Sequence, residues 1–278
     1  MNAAIKTRVL SELAALERKH HVTLLYSCEA GSRAWGFPDA ASDYDVRFIY
    51  VRPRKWYGRQ ADRPSHDAIV RTISHYDMVG WDLRKVLAML VHSHPTVLEW
   101  LQSPLVYFDR ENFRDRLSAT ADQVVSLEAC RFHYFRWARL NYDKLMEAPR
   151  ASVKRCCLAL RPLLAVLWLE RGLGRPPTAL RELAGRLVDW PPLQEAITAM
   201  LESSDSGKQA ASERTRRVVS DYLTSELARL DGLRWGRPAV RRDLQSINAF
   251  FRAVVQQYDM ATDEELDLSD WPAPPRSS

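Results

Sequence analysis

The sequence predicts an α/β (α+β) N-terminal domain followed by a mainly α-helical C-terminal domain. Apolar and β-branched stretches separated by turn residues occupy much of residues 22–79, which is the pattern of strands joined by loops. Further along the chain, apolar residues recur at intervals of three and four, which is the pattern of amphipathic helices. The end of the chain is acidic and proline-rich. We therefore expect domains at 1–108 and 109–258, and a disordered or loosely packed tail at 259–278.

The N-terminal domain is expected to open with a helix, because apolar residues repeat there at helical spacing: Ile5, Val9, Leu13 and Leu16. Three strands are expected after it, at Val22–Cys28, Asp43–Val51 and Ala68–Val79. Pro53 follows the second strand, and Gly80 is expected to break the third. These strands would form the sheet of this domain.

Two short helices are expected to complete the same domain. Asp82 is placed to cap the first, Leu83–Val91, by accepting a hydrogen bond from its first turn. The second helix begins at Pro95, because proline is favoured at the first helical position, and it runs through Leu101. Pro104 closes it, since proline cannot continue a helix.

The C-terminal domain is expected to consist of helices joined by loops that carry proline, glycine and polar residues. Such residues interrupt the helical pattern between the apolar segments. Seven helices are expected, at Asn112–Ser126, Leu127–Met146, Ser152–Arg171, Thr178–Leu187, Pro192–Leu201, Glu213–Leu230 and Pro238–Tyr258.

The composition favours a soluble, cytoplasmic globular protein. Hydrophobic residues make up 46% of the 278 residues, enough to bury a core, and the net charge of +5 is compatible with an anionic partner without being diagnostic of one. The four cysteines lack Cys-x-x-Cys spacing, so we expect reduced thiols. Residues 1–20 have no apolar leader segment, and the apolar run Leu158–Leu169 is too short to span a bilayer.

The most informative stretch of the chain joins a small-residue turn to a pair of carboxylates. Gly31 and Ser32 lie a short way before Asp43 and Asp45, which occupy alternate positions of the second expected strand. Because side chains alternate along a strand, we expect both carboxylates on one face, about 6–7 Å apart. Two such oxygen ligands suit Mg²⁺, which is usually held by one or two carboxylates and substrate phosphates. The alternative is a solvated edge-strand face, since Asp-x-Asp is common by chance.

These motifs resemble those of the DNA polymerase β-like nucleotidyltransferase superfamily, and more narrowly its RlaP-type group of nucleotidyltransferases linked to RNA repair. The superfamily signature is a Gly-Ser turn followed by a spaced Asp-x-Asp pair flanked by hydrophobic residues. The resemblance runs from about Val22 to Trp168. It rests on the blocks Gly31–Gly36, Ser42–Pro53, Gly80–Lys85, Leu98–Pro104, and Lys154–Arg155 with Leu160–Ala165. It implies a polymerase β-like catalytic domain at the N-terminus and a helical substrate-binding domain after it.

The resemblance also implies a site that holds two Mg²⁺ ions, for which Mn²⁺ substitutes, and a nucleoside triphosphate (NTP). Asp43 and Asp45 would bridge both ions, and a third carboxylate on a neighbouring strand would complete the set. We identify the third residue as Asp77, near the end of the third expected strand. Asp82 is better placed as a helix cap, and Asp67 lies at the other end of the strand. The alternative for Asp77 is an ordinary surface aspartate.

Five residues are expected to bind the nucleotide. Gly31 allows the backbone to approach a phosphate closely, and Ser32 adds a hydroxyl donor. Arg33 is expected either to contact a phosphate or to form a surface salt bridge. Lys154 and Arg161 are seven residues apart, two helical turns, and therefore share a helix face. That face either reaches the triphosphate or an RNA backbone, or is simply solvated.

The implied activity is transfer of a nucleoside monophosphate from an NTP to a hydroxyl group, with loss of pyrophosphate. The family association makes an RNA 3′ end, in particular that of a tRNA, the expected acceptor. Two alternatives remain open. One is nucleotidylation, such as AMP transfer, of a protein or small molecule. The other is a non-catalytic RNA-binding protein on the same fold.

Overall fold

The computed structural model describes residues 2–39, 41–59, 67–148, 152–203, 211–233 and 244–259, and it confirms the predicted fold class. The N-terminal part contains, in chain order, α1 (Ala3–His20), β1 (Thr23–Glu29), α2 (Gly31–Trp35), β2 (Tyr44–Val51), α3 (Arg54–Arg59), β3 (Ala68–Ile73), β4 (Tyr76–Asp82), α4 (Leu83–Val91), α5 (Pro95–Leu101) and β5 (Val106–Asp109). The helical part contains α6 (Phe113–Val124), α7 (Leu127–Met146), α8 (Val153–Glu170), α9 (Leu180–Leu187), α10 (Pro191–Ser203), α11 (Glu213–Asp231) and α12 (Leu244–Asp259).

The strands form one mixed sheet in the order β3-β4-β2-β1-β5. β1 pairs antiparallel with β2 and β5, whereas β2 and β4 run parallel. In the parallel pair, Asp45 near the start of β2 lies directly opposite Asp77 near the start of β4. Because paired residues of neighbouring strands point to the same face of a sheet, this register brings the two carboxylates together.

The single third strand predicted at Ala68–Val79 is wrong. The segment forms two strands, β3 and β4, which pair antiparallel as a hairpin. Ser74 lies between them with φ at 51°, a left-handed conformation that reverses the chain without a glycine. Gly80 does not break the strand but lies inside β4. A glycine fits this position because the ring of Phe48 occupies the space that a Cβ would need.

Most helices begin and end within two residues of the positions that the sequence predicts. Asp82 caps α4 as predicted, since its Oδ1 accepts a hydrogen bond of 2.8 Å from the backbone N–H of Arg84. The short elements α2, α3 and β5 are not among the predicted ones, and the predicted turn residues Gly31 and Ser32 are the first two residues of α2. The start predicted for the last helix, Pro238, and the tail predicted at 259–278, except for Asp259, lie outside the described residues.

Hydrophobic cores form within the helical part and on both faces of the sheet. In the helical part, α7, α9, α10 and α11 pack around α8, which is buried over most of its length. On the sheet, α1 covers one face through Val9, Leu13 and Leu16. Helices α4, α5, α6 and α12 pack on the other face. Since α6 and α12 share this core with β1, the chain after residue 108 contributes to both parts, and the domain division at that residue stays a prediction.

The cysteines are buried as free thiols, as the sequence predicts: Cys28, Cys130, Cys156 and Cys157. Burial raises the pKa of the Cys28 thiol to about 12, so it stays protonated at neutral pH. No helix in the described ranges is both long and apolar enough to cross a membrane.

Asp82 carries a buried charge at the junction of β4 and α4. Its Oδ2 accepts a hydrogen bond of 3.0 Å from the Tyr57 hydroxyl, and the residue is fully shielded from solvent. Burial raises the pKa of this carboxyl from 3.8 to about 6. The native state therefore binds more protons than the unfolded chain between about pH 4 and 6, so Asp82 lowers the free energy of unfolding as pH rises through this window.

Replacing Asp82 by Asn is expected to remove this pH dependence, because the amide keeps the Oδ1 acceptor of the helix cap and cannot ionise. The free energy of unfolding of the variant, relative to the parent protein, should rise by about 3 kcal/mol between about pH 4 and pH 7. Urea unfolding at a series of pH values measures the difference. Parallel curves for the two proteins across this window would contradict the assignment.

Candidate active site

A cavity of about 500 Å³ is lined by residues of α2, β2, α5, α7 and α8. It therefore draws on both the sheet-containing part and the helical part of the chain. Most of the residues that the sequence predicts for the site line it: Gly31, Ser32, Asp45, Lys154 and Arg161. Asp43, Asp77 and Arg33 are not among the residues that line this cavity.

Gly31 packs directly against Asp45 at the entrance to α2. Its φ is +61°, and a Cβ at this position would overlap Asp45 Oδ2. The backbone N–H of Ala30 also donates a hydrogen bond of 2.8 Å to the carbonyl of Asp45. Only glycine combines this backbone conformation with so close an approach. The Gly31-Ser32 segment and the Asp45 carboxylate therefore form one rigid unit.

Asp45 and Asp77 share a guanidinium. Arg47 Nη2 donates hydrogen bonds of 2.8 Å to Asp45 Oδ1 and 2.9 Å to Asp77 Oδ2, and its Nη1 donates one of 2.8 Å to the carbonyl of Asp77. Burial raises the pKa of Asp45, and the adjacent Arg47 charge opposes this rise. The two carboxylates thus form a pair that already accommodates positive charge, as the binding of a hard cation through oxygen ligands requires.

Asp43 differs from this pair in its exposure and in its partner. β2 begins one residue after it, and its exposed side chain lies 3.5 Å from His75 Nδ1. Within the described ranges, no three His, Cys, Asp or Glu side chains are grouped closely enough to hold a metal ion. The structure thus brings two of the three predicted metal ligands together, and the role of Asp43 stays a prediction.

Lys154 and Ser32 meet at the hydroxyl of Ser42. Lys154 Nζ donates a hydrogen bond of 3.0 Å to Ser42 Oγ, and Ser32 Oγ donates one of 3.2 Å to the same atom. Ser42 Oγ in turn donates to Asp39 Oδ1 at 2.7 Å. This network joins α8 to the loop before β2, so the predicted phosphate-binding residues Ser32 and Lys154 lie at one end of the cavity.

Arg33 holds the loop that carries Asp43. Its Nη2 and Nε donate hydrogen bonds of 2.7 Å and 3.1 Å to the carbonyls of Ser42 and Asp43. Its guanidinium carbon also lies 4.0 Å from the centre of the Tyr44 ring. The guanidinium is engaged in positioning this loop, and a phosphate contact by Arg33 stays a prediction.

Glu29 is a buried carboxyl that the sequence does not reveal as part of the site. Its Oε1 accepts a hydrogen bond of 2.9 Å from the backbone N–H of Asp45, and its Oε2 accepts one from the Tyr107 hydroxyl. Burial raises the pKa of this group. Its only sequence signal is an acidic residue at the end of an apolar strand. Glu29 therefore fixes the backbone of Asp45.

Arg161 and Glu99 form a buried ion pair at the other end of the cavity. Arg161 Nη1 donates a hydrogen bond of 2.9 Å to Glu99 Oε1, which also accepts one of 2.8 Å from the Tyr134 hydroxyl. Arg161 Nε donates to the Thr178 carbonyl at 2.8 Å. The guanidinium stacks on Trp35, 4.5 Å from the ring centre. Because Arg161 is 3% exposed, the alternative that it is a solvated helix charge is wrong.

Replacing Arg47 by Gln is expected to lower the stability of the metal-free protein by about 1 kcal/mol, because the Asp45 and Asp77 carboxylates then repel each other without compensation. A divalent cation that binds only the folded state relieves this repulsion and raises the melting temperature by mass action. The increase on adding Mg²⁺ should therefore be larger in the variant. Thermal unfolding with and without Mg²⁺ measures it.

The control for this experiment is Arg71→Gln, which removes an ion pair of 3.0 Å with Glu12 elsewhere on the sheet. We expect this control to respond to Mg²⁺ as the parent protein does. An equal response of the Arg47 variant and the parent would contradict the assignment of a cation to this pair.

This chain is similar to a known protein family, to a bacterial protein and to a solved structure. A family model described as the RNA repair pathway DNA polymerase beta family, RlaP, matches residues 5–253. The uncharacterized protein YcgL of Bacillus subtilis (strain 168) is 33% identical over 248 residues, which cover 87% of this chain and 93% of YcgL. The crystal structure of a nucleotidyltransferase-like protein from Exiguobacterium sibiricum 255-15 aligns with 91% of this chain. The alignment includes 79% of the solved chain, with 14% sequence identity and a TM-score of 0.29.

The family match also shows how far the resemblance extends. The sequence motifs support it only as far as Trp168, whereas the match continues to residue 253, within α12. The family match therefore includes the helical part as well as the sheet. The chain is a member of the RlaP family, the RNA repair pathway DNA polymerase beta family.

Proposed function

We propose that this protein transfers a nucleoside monophosphate from an NTP to a hydroxyl at an RNA 3′ end, such as that of a tRNA. Family membership supports a nucleotidyltransferase of the polymerase β type. The observation that carries the proposal is the carboxylate pair of Asp45 and Asp77, held in register on adjacent parallel strands and bridged by Arg47. Gly31 packs against this pair, and the cavity opens beside it.

In the proposed reaction, the acceptor hydroxyl loses its proton to water and its oxygen bonds to the α-phosphorus. The bond from the α-phosphorus to the oxygen shared with the β-phosphorus breaks, and pyrophosphate leaves. Asp45 and Asp77 would hold the metal, with Asp43 as a third ligand. When bound, Mg²⁺ or Mn²⁺ neutralises charge on the attacking and leaving oxygens. Gly31 and Ser32 would lie against the phosphates, and Lys154 would neutralise part of their charge. Positioning and electrostatic stabilisation account for the rate.

The two parts of the chain would have different roles in the reaction. Residues 1–108 would supply the catalytic carboxylates and the Gly-Ser turn, while 109–258 would bind substrate. The cavity supports this division because α7 and α8 form one wall and α2 and β2 form another. An RNA acceptor is supported by the family description and by the net charge of +5. A cytoplasmic location belongs to the proposal, and the free thiols are compatible with it.

The proposal is tested by incubating the purified protein with Mg²⁺ or Mn²⁺, each α-³²P-labelled NTP in turn, total cellular RNA and total cellular protein. Label that fractionates with RNA and maps to its 3′ end is the expected result. Label only in protein or in a small molecule would overturn the choice of acceptor. Absence of label from every fraction would overturn the proposal as a whole.

A further inference from the structure

The cavity has two chemically different ends along α8. Lys154 lies at the end that contains Ser32 and the Asp45 pair, whereas Arg161 lies at the end that contains Glu99. The two basic residues are seven positions apart, about 10 Å along the helix axis. α2 also extends from one end of the cavity to the other, because Gly31 at its start packs on Asp45 and Trp35 at its end stacks on Arg161.

The end distant from Asp45 has flat aromatic walls. Trp35, Trp100 and Trp137 line the cavity together with Glu99 and Arg161. Each of the three tryptophans packs against another ring. The ring centres are 6.0 Å apart for Trp35 and Phe37, 4.4 Å for Trp100 and Trp81, and 5.5 Å for Trp137 and Tyr134. Fixed indole faces are surfaces on which a nucleobase stacks, since every base has a flat π-face.

The ion pair at this end leaves one hydrogen-bond acceptor and one donor unused. Glu99 Oε1 receives the hydrogen bonds of both Tyr134 and Arg161, and its Oε2 accepts none from the described residues. Arg161 Nη2 is buried and has no hydrogen-bond partner among the residues that the structure describes. A buried donor without a protein partner is rare in folded proteins, and a bound group or a water would satisfy it. Because Glu99 neutralises Arg161, the pair suits an uncharged ligand edge better than a phosphate.

We propose that this end of the cavity binds the amino-bearing base of the NTP, adenine or cytosine, with Glu99 Oε2 accepting from the exocyclic amino group and Arg161 Nη2 donating to the adjacent ring nitrogen. Adenine and cytosine both offer one donor beside one acceptor on this edge, which matches the two unused atoms. Guanine, hypoxanthine and uracil offer the reverse order, an acceptor oxygen beside a ring N–H donor. The inference rests on the proposed function and identifies ATP or CTP as its nucleotide. It moves Arg161 from the predicted triphosphate contact to the base.

The test is the affinity for ATP and inosine triphosphate (ITP), and for CTP and UTP, measured by quenching of tryptophan fluorescence in the presence of Mg²⁺. The members of each pair differ only in this edge, and the tighter ligand of ATP and CTP identifies the base. We expect the full-length protein to bind that nucleotide about 10- to 100-fold more tightly than the other member of its pair, as reversal of two buried hydrogen bonds requires. Glu99→Gln should reduce this preference to a few fold, since the Gln amide is able to donate to the carbonyl oxygen of ITP or UTP. Equal affinity of the parent protein within both pairs would overturn the inference without any variant.

The matched control is Glu195→Gln, which alters an exposed glutamate of α10 that pairs with Arg214 at 3.2 Å. It should leave the preference for the amino-bearing base unchanged. A preference for that base that survives Glu99→Gln would also overturn the inference. Binding is measured apart from transfer, so the two failures are distinguishable. Tight binding of ATP or CTP without any transfer of α-label would overturn the proposed function and leave the base-binding site standing.

Discussion

Transfer of the α-labelled nucleotide is expected to fall by about 1,000-fold or more when Asp45 is replaced by Asn. The side chain lies at the meeting point of Gly31, Arg47 and the cavity. Asn retains the size of the side chain but removes the negative charge that a cation requires. The neutral amide also leaves the Arg47 guanidinium with only one carboxylate partner. Initial rates of label transfer under saturating NTP measure the loss.

The matched control is Asp221→Asn on the exposed face of α11, an aspartate that is not among the residues that line the cavity. It should retain the parental rate, and both variants should give the same far-ultraviolet circular dichroism spectrum as the parent. A folded Asp45 variant that transfers label within about tenfold of the parental rate would contradict the assignment of Asp45 to the reacting centre.

Replacing Gly31 by Ala is expected to lower transfer by about 100-fold and to cost about 1–3 kcal/mol of stability. Two effects combine at this position. A non-glycine residue at a φ of +61° is strained, and the new Cβ overlaps Asp45 Oδ2, which forces the carboxylate out of its position. A displacement of about 1 Å at a reacting centre is enough to produce a loss of this size. Urea unfolding and initial rates measure the two effects separately.

The variant Gly36→Ala separates the effect of backbone strain from the effect of the overlap with Asp45. Gly36 also has a positive φ, +85°, at the end of α2, but nothing lies within 4 Å of a Cβ built on it. This control should therefore lose comparable stability and keep most of its activity. If the two alanine variants lose activity to the same extent, the close packing of Gly31 on Asp45 is not what the reaction depends on.

The core of the candidate site follows from local sequence patterns. The alternation of Asp43 and Asp45 with apolar residues predicts a strand that carries carboxylates, and β2 begins within this stretch. The choice of Asp77 rests on its expected position on a neighbouring strand, and β4 places it opposite Asp45. The seven-residue spacing of Lys154 and Arg161 predicts one helix face, and both line the cavity from α8. Short-range periodicity is sufficient for such features.

Other features depend on contacts between distant parts of the chain. Glu29 is fixed by Tyr107, 78 residues later, and Glu99 by Arg161, 62 residues later. A single sequence gives no signal for such pairs, because each acid taken alone resembles an ordinary polar residue. The hairpin of β3 and β4 is hard to predict because its two turn residues, Ser74 and His75, lack the Asn-Gly or Asp-Gly pair that is the strongest hairpin signal. Alternation of apolar residues is the same for one long strand and for two paired ones.

Parallel reactions with α-³²P- and γ-³²P-labelled NTP test the central claim most directly. Each contains Mg²⁺ and total RNA, with the parent protein, Asp45→Asn or Asp77→Asn. Nucleotidyl transfer at the carboxylate pair predicts α-label in RNA and γ-label in pyrophosphate with the parent protein, and neither product with the two variants. Transfer of γ-label to RNA, or transfer of α-label that persists when Asp45 and Asp77 are replaced, would contradict the account.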